Sequence, residues 1–105
     1  MYTNARQTYQ QQSVKTASPE KLVLELYNLG IRSCKQGDRS TVRSVLVELM
    51  SSLDHERGGE IAERLQVIYE YCLDVSATGD LTDVQEILES LRDAWRKGVV
   101  GHTLQ

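Results

Sequence analysis

The sequence predicts an all-α fold, an antiparallel up-down four-helix bundle preceded by an N-terminal strap that is either flexible or a short helix. Four stretches repeat apolar residues at the spacing of an amphipathic helix. The one proline, Pro19, stands at a predicted helix start, and Leu, Glu, Gln and Arg are frequent. A chain of 105 residues has the size of one domain. Short turns between helices make consecutive helices antiparallel neighbours.

The triplet Ser18-Pro19-Glu20 marks the start of the first helix. A serine hydroxyl at the N-cap can accept a hydrogen bond from a free backbone N–H. Proline suits the first helical position, and an acidic residue next to it interacts well with the helix dipole. The chain thereby divides into a strap over residues 1–17, a bundle over residues 18–98 and a tail over residues 99–105.

Turn residues and apolar rows set the limits of the four predicted helices. Gly37 is expected to end the first helix, and Asp38 or Ser40 to cap the second. Thr82 and Gln85 have the spacing of a capping box for the fourth helix. The helices are expected at about 19–36, 40–53, 60–75 and 83–97, with 54–59 forming the turn between the second and the third.

The strap carries few apolar groups. Tyr2, Ala5 and Tyr9 have a weak helical spacing, and Val14 follows them. So few apolar side chains cannot hold a fold without the bundle. Two interpretations remain equally open: a disordered tail, or a strap whose tyrosines dock reversibly on the bundle.

Composition excludes several classes of protein. The net charge of −3 and the pI near 5.3 argue against a general nucleic-acid binder, which needs a basic stripe. No apolar run has the length of a membrane span and no signal peptide opens the chain, so a cytosolic protein is expected. Cys34 and Cys72 form no C-x-x-C motif, which predicts two reduced core residues.

No motif for catalysis, a cofactor or a metal is found. His55 lies in a predicted acidic turn and His102 in the tail, and neither has a second ligand at metal-site spacing. No Glu-x-x-His motif supports a di-iron bundle, and Gly58-Gly59 lacks the Lys that a P-loop needs. Phosphotransfer through His55 fits poorly, because that chemistry needs an exposed histidine in mid-helix. The sequence therefore predicts a protein that is not an enzyme.

Excess apolar surface is the remaining signal. The first and third predicted helices carry more apolar and tyrosine positions than one core-facing stripe uses. Either the bundle buries them all, or some line an exposed groove for a partner helix. The sequence favours neither interpretation.

Several motifs, correctly ordered along nearly the whole chain, resemble the FliS family of flagellar export chaperones for flagellin. The matching stretches are Tyr9, Ser13-Val14, Thr16-Ala17-Ser18-Pro19-Glu20-Lys21-Leu22, Leu26-Tyr27-Asn28, Leu53-Asp54-His55-Glu56-Arg57-Gly58-Gly59-Glu60-Ile61-Ala62, Tyr69-Glu70-Tyr71 and Asp93-Ala94-Trp95-Arg96-Lys97. The chain is a shortened form: each arm of the first hairpin is about two turns short, and the second hairpin is short by a similar total. Because both hairpin turns lie at one end of an antiparallel bundle, the shortening is concerted.

The resemblance implies a cytosolic four-helix chaperone that binds the disordered C-terminal segment of flagellin. It would prevent premature polymerisation and assist delivery to the flagellar type III export gate. The strap would cover the groove through Tyr9 until the client displaces it. The groove candidates are Leu22, Leu26, Tyr27, Ile61, Leu65, Ile68, Tyr69 and Tyr71, some of which must be core.

The shortened bundle and the apolar groove leave two further possibilities. Because one end of the bundle is shortened, the chain could be a paralogue that acts as a regulatory or structural helical module with another partner. An exposed apolar groove can also pair with a second copy of itself, so a homodimer is left open.

Overall fold

The computed structural model describes residues 19–100, which form four helices packed against each other and contain no strand. The predicted all-α bundle is therefore confirmed. The strap over 1–17 with Tyr9, the Ser18 cap and residues 101–105 lie outside the described residues. The helices are α1 (Pro19–Gln36), α2 (Arg39–Ser51), α3 (His55–Thr78) and α4 (Leu81–Ala94), and a terminal π-helix (Trp95–Val100) follows α4 directly.

Aspartates cap the three helices whose starts are fully described. Asp38 accepts from the Thr41 N–H at 3.2 Å and from its hydroxyl at 2.7 Å. Asp54 accepts from the Glu56 and Arg57 N–H groups, both at 3.1 Å. Asp80 accepts from the Thr82 N–H at 2.9 Å. Of the two predicted caps for the second helix the structure selects Asp38, and Asp80 rather than Thr82 caps the fourth.

The capping bonds also lower the pKa values of two carboxyl groups. The hydroxyl and the amide of Thr41 lower the pKa of Asp38. The Thr82 amide lowers the pKa of Asp80 in the same way. Both groups are therefore held as anions at the positive ends of their helices, where negative charge is favourable.

The start of α3 differs from the prediction. Residues 54–59 were expected to form a turn, yet Asp54 is an N-cap and helical structure begins at His55. Gly59 interrupts the helix with φ 51° and ψ −123°, a conformation that a residue without Cβ adopts at little cost. The predicted turn is wrong because one aspartate side chain holds a first helical segment ahead of the break.

The end of α1 agrees with the prediction, whereas the end of α4 does not. Gly37, with φ 71°, ends α1 as expected, and the Asp38 N–H donates to the Ser33 carbonyl at 2.9 Å. At the far end the helical structure passes Gly98, the predicted stop, because α4 continues as the π-helix.

Two arginines of α2 bind the C-terminal end of α3. Arg39 donates to the Ser76 carbonyl at 3.0 Å and to the Gly79 carbonyl at 2.7 Å. Arg43 donates to the Leu73 carbonyl at 2.8 Å and to the Ser76 hydroxyl at 3.0 Å. These donors satisfy carbonyl groups that a helix end leaves free. The same contacts place the α1–α2 turn beside the α3–α4 turn, as an up-down bundle requires.

A central cluster of buried residues joins all four helices. Its members are Leu26, Tyr27, Ile31, Cys34, Val42, Val45, Leu46, Leu49, Tyr69, Cys72, Leu81, Val84 and Leu88. Cys34 and Cys72 are free thiols in this core, as predicted. Burial raises the pKa of each thiol to about 11, which keeps both protonated at neutral pH.

A buried tyrosine pair crosses the core. The Tyr27 and Tyr69 hydroxyls lie 2.6 Å apart and hydrogen-bond to each other, and the two residues are only 1% and 2% exposed. The Trp95 ring meets Tyr27 edge-on with ring centroids 6.3 Å apart. The Trp95 indole N–H donates to the Glu20 carbonyl at 3.0 Å. These contacts connect the start of α1, the middle of α3 and the end of α4.

We expect Tyr27→Phe to destabilise the fold by about 1–3 kcal/mol, because it leaves the buried Tyr69 hydroxyl without a partner. Tyr69→Phe should do the same. The double variant should lose less than the sum of the two single losses, because no orphaned hydroxyl remains. Urea unfolding of the four proteins measures this coupling. Strict additivity would show that the hydroxyls do not depend on each other.

Alkaline pH should destabilise the protein through the same pair. Burial raises the pKa of both Tyr27 and Tyr69 above the usual 10. Their contribution is complete below pH about 10 and is lost as pH rises towards the folded-state values, by up to about 1.4 kcal/mol per pH unit for each group. Urea unfolding between pH 7 and 11 should show a smaller loss for Tyr27→Phe/Tyr69→Phe than for the natural protein. The exposed-site control Tyr71→Phe should follow the natural protein, and an equal loss in all three would contradict the assignment.

Candidate partner-binding surface

The described residues offer no cluster for metal chemistry. Nowhere between residues 19 and 100 do three or more His, Cys, Asp or Glu side chains come together in a way that could hold a metal ion. His55 lies exposed in the first turn of α3. None of the helices in this range is long and apolar enough to cross a membrane. Apolar surface is the remaining candidate for a functional site.

One line of apolar side chains on α3 is incompletely buried, and we call it the α3 row: Ile61, Leu65, Ile68 and Tyr71. Its spacings of four, three and three residues keep the side chains on neighbouring turns of one side of the helix. Ile61 is 69% exposed and Tyr71 is 54% exposed. Leu65 and Ile68 are half-buried and pack against the core cluster. The row extends about 15 Å along the surface.

A hollow that we call the end cup lies at the first half of the row, at the bundle end that holds the start of α1. It has a volume of about 250 Å³. The residues that line it are Val23, Ser52, Leu53, Asp54, Gly58, Ile61, Ala62, Leu65, Tyr69 and Trp95. Asp54, the one charged residue among the described residues of this lining, is already bound to two backbone N–H groups as the α3 cap. The cup therefore presents mostly apolar chemistry.

A second hollow, the α3–α4 cleft, lies at the other half of the row. Its volume is about 570 Å³. It is lined by Ile68 and Tyr71 of α3 and by Asp83, Glu86, Ile87, Ser90 and Leu91 of α4. Ile87 and Leu91 are half-buried, whereas the acidic side chains are exposed. The α3 row thus joins an apolar cup to a cleft with an acidic edge.

Four of the predicted groove residues, those of the α3 row, are brought together at this surface. Three others lie in the core: Leu26 is 5% exposed, and Tyr27 and Tyr69 are the hydrogen-bonded pair. In the described arrangement their side chains hold the bundle together, although Tyr69 also lines the cup. Leu22 is half-buried on α1 and lines neither hollow. Tyr9 is outside the described residues.

Sequence reasoning missed the α4 side of the surface. Ile87, Leu91 and Trp95 follow the helical spacing of a core face, and their contacts with the core cluster agree with that assignment. Each also lines one of the two hollows. The available signal was the polar edge formed by Asp83 and Glu86, which marks where the apolar face of α4 meets solvent.

Comparisons with known proteins agree with this architecture. A family model described as flagellar protein FliS matches residues 2–101. A curated relative, the flagellar secretion chaperone FliS of Campylobacter jejuni, is 25% identical over 115 residues, and the match covers 89% of each chain. No solved structure gives a significant match. Chaperones of this kind are non-catalytic. The resemblance noted in the sequence is confirmed, and the chain belongs to the FliS family of flagellar secretion chaperones.

Proposed function

We propose that this chaperone binds the C-terminal segment of flagellin in the cytoplasm and holds it unpolymerised until export. Handing the client to flagellar export gate components would complete the role. Family membership supports the proposal. The observation that carries it is the α3 row, a line of exposed and half-exposed apolar side chains that connects two hollows.

The dimensions of the row suit an amphipathic helix. A partner helix presents apolar side chains at positions i, i+3, i+4 and i+7. About ten residues of such a helix match the ~15 Å length of the row. Covering Ile61 and Tyr71 would remove their apolar surface from water, which stabilises a complex by roughly 25 cal/mol per Å².

Reversibility follows from the disorder of the proposed client. A segment that folds on binding loses about 2–5 kcal/mol of the gross interaction energy to ordering. The complex would then be strong enough to prevent polymerisation, yet weak enough to release the segment at the export gate.

The strap over residues 1–17 would act as a competitor for the same surface. It contains Tyr2, Ala5 and Tyr9 at a weak helical spacing, and Arg6 and Lys15 as its only charged side chains. Tyr9 is the proposed anchor. A segment of this chain is always present at high local concentration, so even weak docking lowers the apparent affinity for a client.

We expect a flagellin C-terminal peptide to bind the full chain one-to-one with a large negative heat-capacity change, because apolar surface is buried. Ile61→Asp should weaken binding roughly tenfold or more by placing a charge in the apolar contact. The matched control is Val67→Asp, which changes a 64% exposed side chain on the same helix outside both hollows. Isothermal titration calorimetry at several temperatures measures the stoichiometry, the heat-capacity change and the affinity of each variant.

Absence of binding at high micromolar peptide would reject flagellin as the client of this chain. Equal weakening by Ile61→Asp and Val67→Asp would keep the client and reject the α3 row as its site. Circular dichroism of both variants should match the natural protein, since both positions are exposed.

Deleting residues 1–17 should tighten peptide binding. A strap that covers the surface 90% of the time lowers the apparent affinity about tenfold, or ~1.4 kcal/mol. The same titration with the deleted chain measures the change, and Tyr9→Ser in the full chain should reproduce part of it. Unchanged affinity would make residues 1–17 a plain tail, and weaker affinity would make them part of the site.

A further inference from the structure

Negative charge is concentrated in one hairpin of the bundle. Residues 55–94, which contain α3 and α4, carry ten Asp or Glu against three Arg and no Lys. Residues 19–54, which contain α1 and α2, carry five acidic and five basic side chains. The two hairpins therefore present chemically different surfaces, and the α3–α4 cleft lies entirely on the acidic one.

The three arginines of this hairpin are already engaged in ion pairs. Arg57 lies 4.0 Å from the Asp54 carboxylate, and Arg92 lies 3.2 Å from the Asp93 carboxylate. Arg64 pairs with Glu60 one turn earlier on α3. None of these pairs lies in the lining of the cleft. The arginines of the hairpin therefore do not neutralise the negative charge of the cleft.

Asp83 and Glu86 stand one turn apart on the exposed edge of α4, beside Ile87 and Leu91. Neither carboxylate has an ion-pair or hydrogen-bond partner among residues 19–100. No Lys or Arg is among the cleft residues that the structure describes. An apolar floor beside two unpaired carboxylates is complementary to a helix whose apolar stripe is bordered by Lys or Arg.

We infer that the α3–α4 cleft is the part of the partner surface that recognises charge. It selects a client helix with basic residues bordering its apolar stripe. Apolar client side chains would pack on Ile68, Ile87 and Leu91, and a cation would lie against Asp83 and Glu86. The end cup would bind apolar side chains alone. The identity of the client as flagellin depends on the proposed function, whereas the preference for a basic border follows from the carboxylates of the cleft itself.

A second copy of this chain is a poor occupant. In a symmetric pair, the same carboxylates would meet across the interface, and like charges brought together are repelled. Ion pairs at an exposed edge add modest affinity, but they increase the association rate and reject acidic partners. The cleft would thus favour the basic helix mainly by discrimination.

Two designed helical peptides serve as probes for the full chain. They share one Leu stripe and carry either Lys or Glu along its border. We expect the Lys peptide to bind roughly tenfold more tightly at low salt, with a difference that shrinks at high salt as the charges are screened. Methyl NMR shifts of Ile87 and Leu91 on adding the Lys peptide should locate it in the cleft.

The decisive comparison uses two charge-matched double variants. Asp83→Asn/Glu86→Gln removes both cleft carboxylates and should weaken Lys-peptide binding roughly five-fold at low salt. Asp74→Asn/Glu63→Gln removes one Asp and one Glu from the same hairpin at exposed positions outside both hollows. This control should leave most of the affinity and most of the salt dependence intact.

Equal weakening by the two double variants would show a general effect of net charge and overturn the inference. Binding of a flagellin C-terminal peptide that depends on Ile61 but not on Asp83 and Glu86 would overturn the inference and leave the proposed function standing. Selective binding of the Lys peptide in the cleft, with no flagellin binding, would support the inference and reject flagellin as the client.

Discussion

The hydrogen bond between the Tyr27 and Tyr69 hydroxyls is the constraint on which the rest of the bundle depends. It joins α1 to α3, which are diagonal partners, since α1 packs on α2 and α4. A buried hydroxyl without a partner costs about 1–3 kcal/mol, so the register that brings both oxygens together is favoured. Trp95 extends this constraint by packing on Tyr27 and donating to the Glu20 carbonyl. Tyr69 and Trp95, which line the end cup, are thereby held in place by core contacts.

The opposite end of α3 is held by different chemistry. Arg39 and Arg43 bind its last carbonyls and fasten it to α2. α2 holds α3 at one end, and the tyrosine pair holds it near its middle. The side of α3 that faces away from these contacts can pack only on α4. Yet α4 packs mainly on α1 and less closely on α3. This unequal packing leaves the α3–α4 cleft open and the α3 row partly exposed.

Local signals in the sequence were sufficient for most of the fold. The apolar spacing gave the four helices, and Gly37 gave the end of the first. The start of α3 could not be predicted, because Gly58-Gly59 is typical of a turn, whereas the capping bonds of Asp54 stabilise a helical segment before it. The surface was harder to predict. Tyr69 and Tyr71 are equally plausible from their spacing, but two residues on a helix differ by about 200° in direction. Which of them faces inward depends on where α1 and α4 lie, and that is set by the whole bundle.

An exposed apolar row brings a risk of self-association, and the charge of the second hairpin opposes it. Apolar surface attracts any partner, including a second copy of the same chain. The acidic edge of α4 adds a repulsive element between copies while attracting basic helices, so one pair of side chains contributes to both specificity and solubility. Such a surface requires that Asp83 and Glu86 have no partners among residues 19–100, and none is found there. Arg92 lies on the same helix, but Asp93 is its partner. The pairing of the hairpin's arginines with other carboxylates is therefore part of what keeps the cleft available.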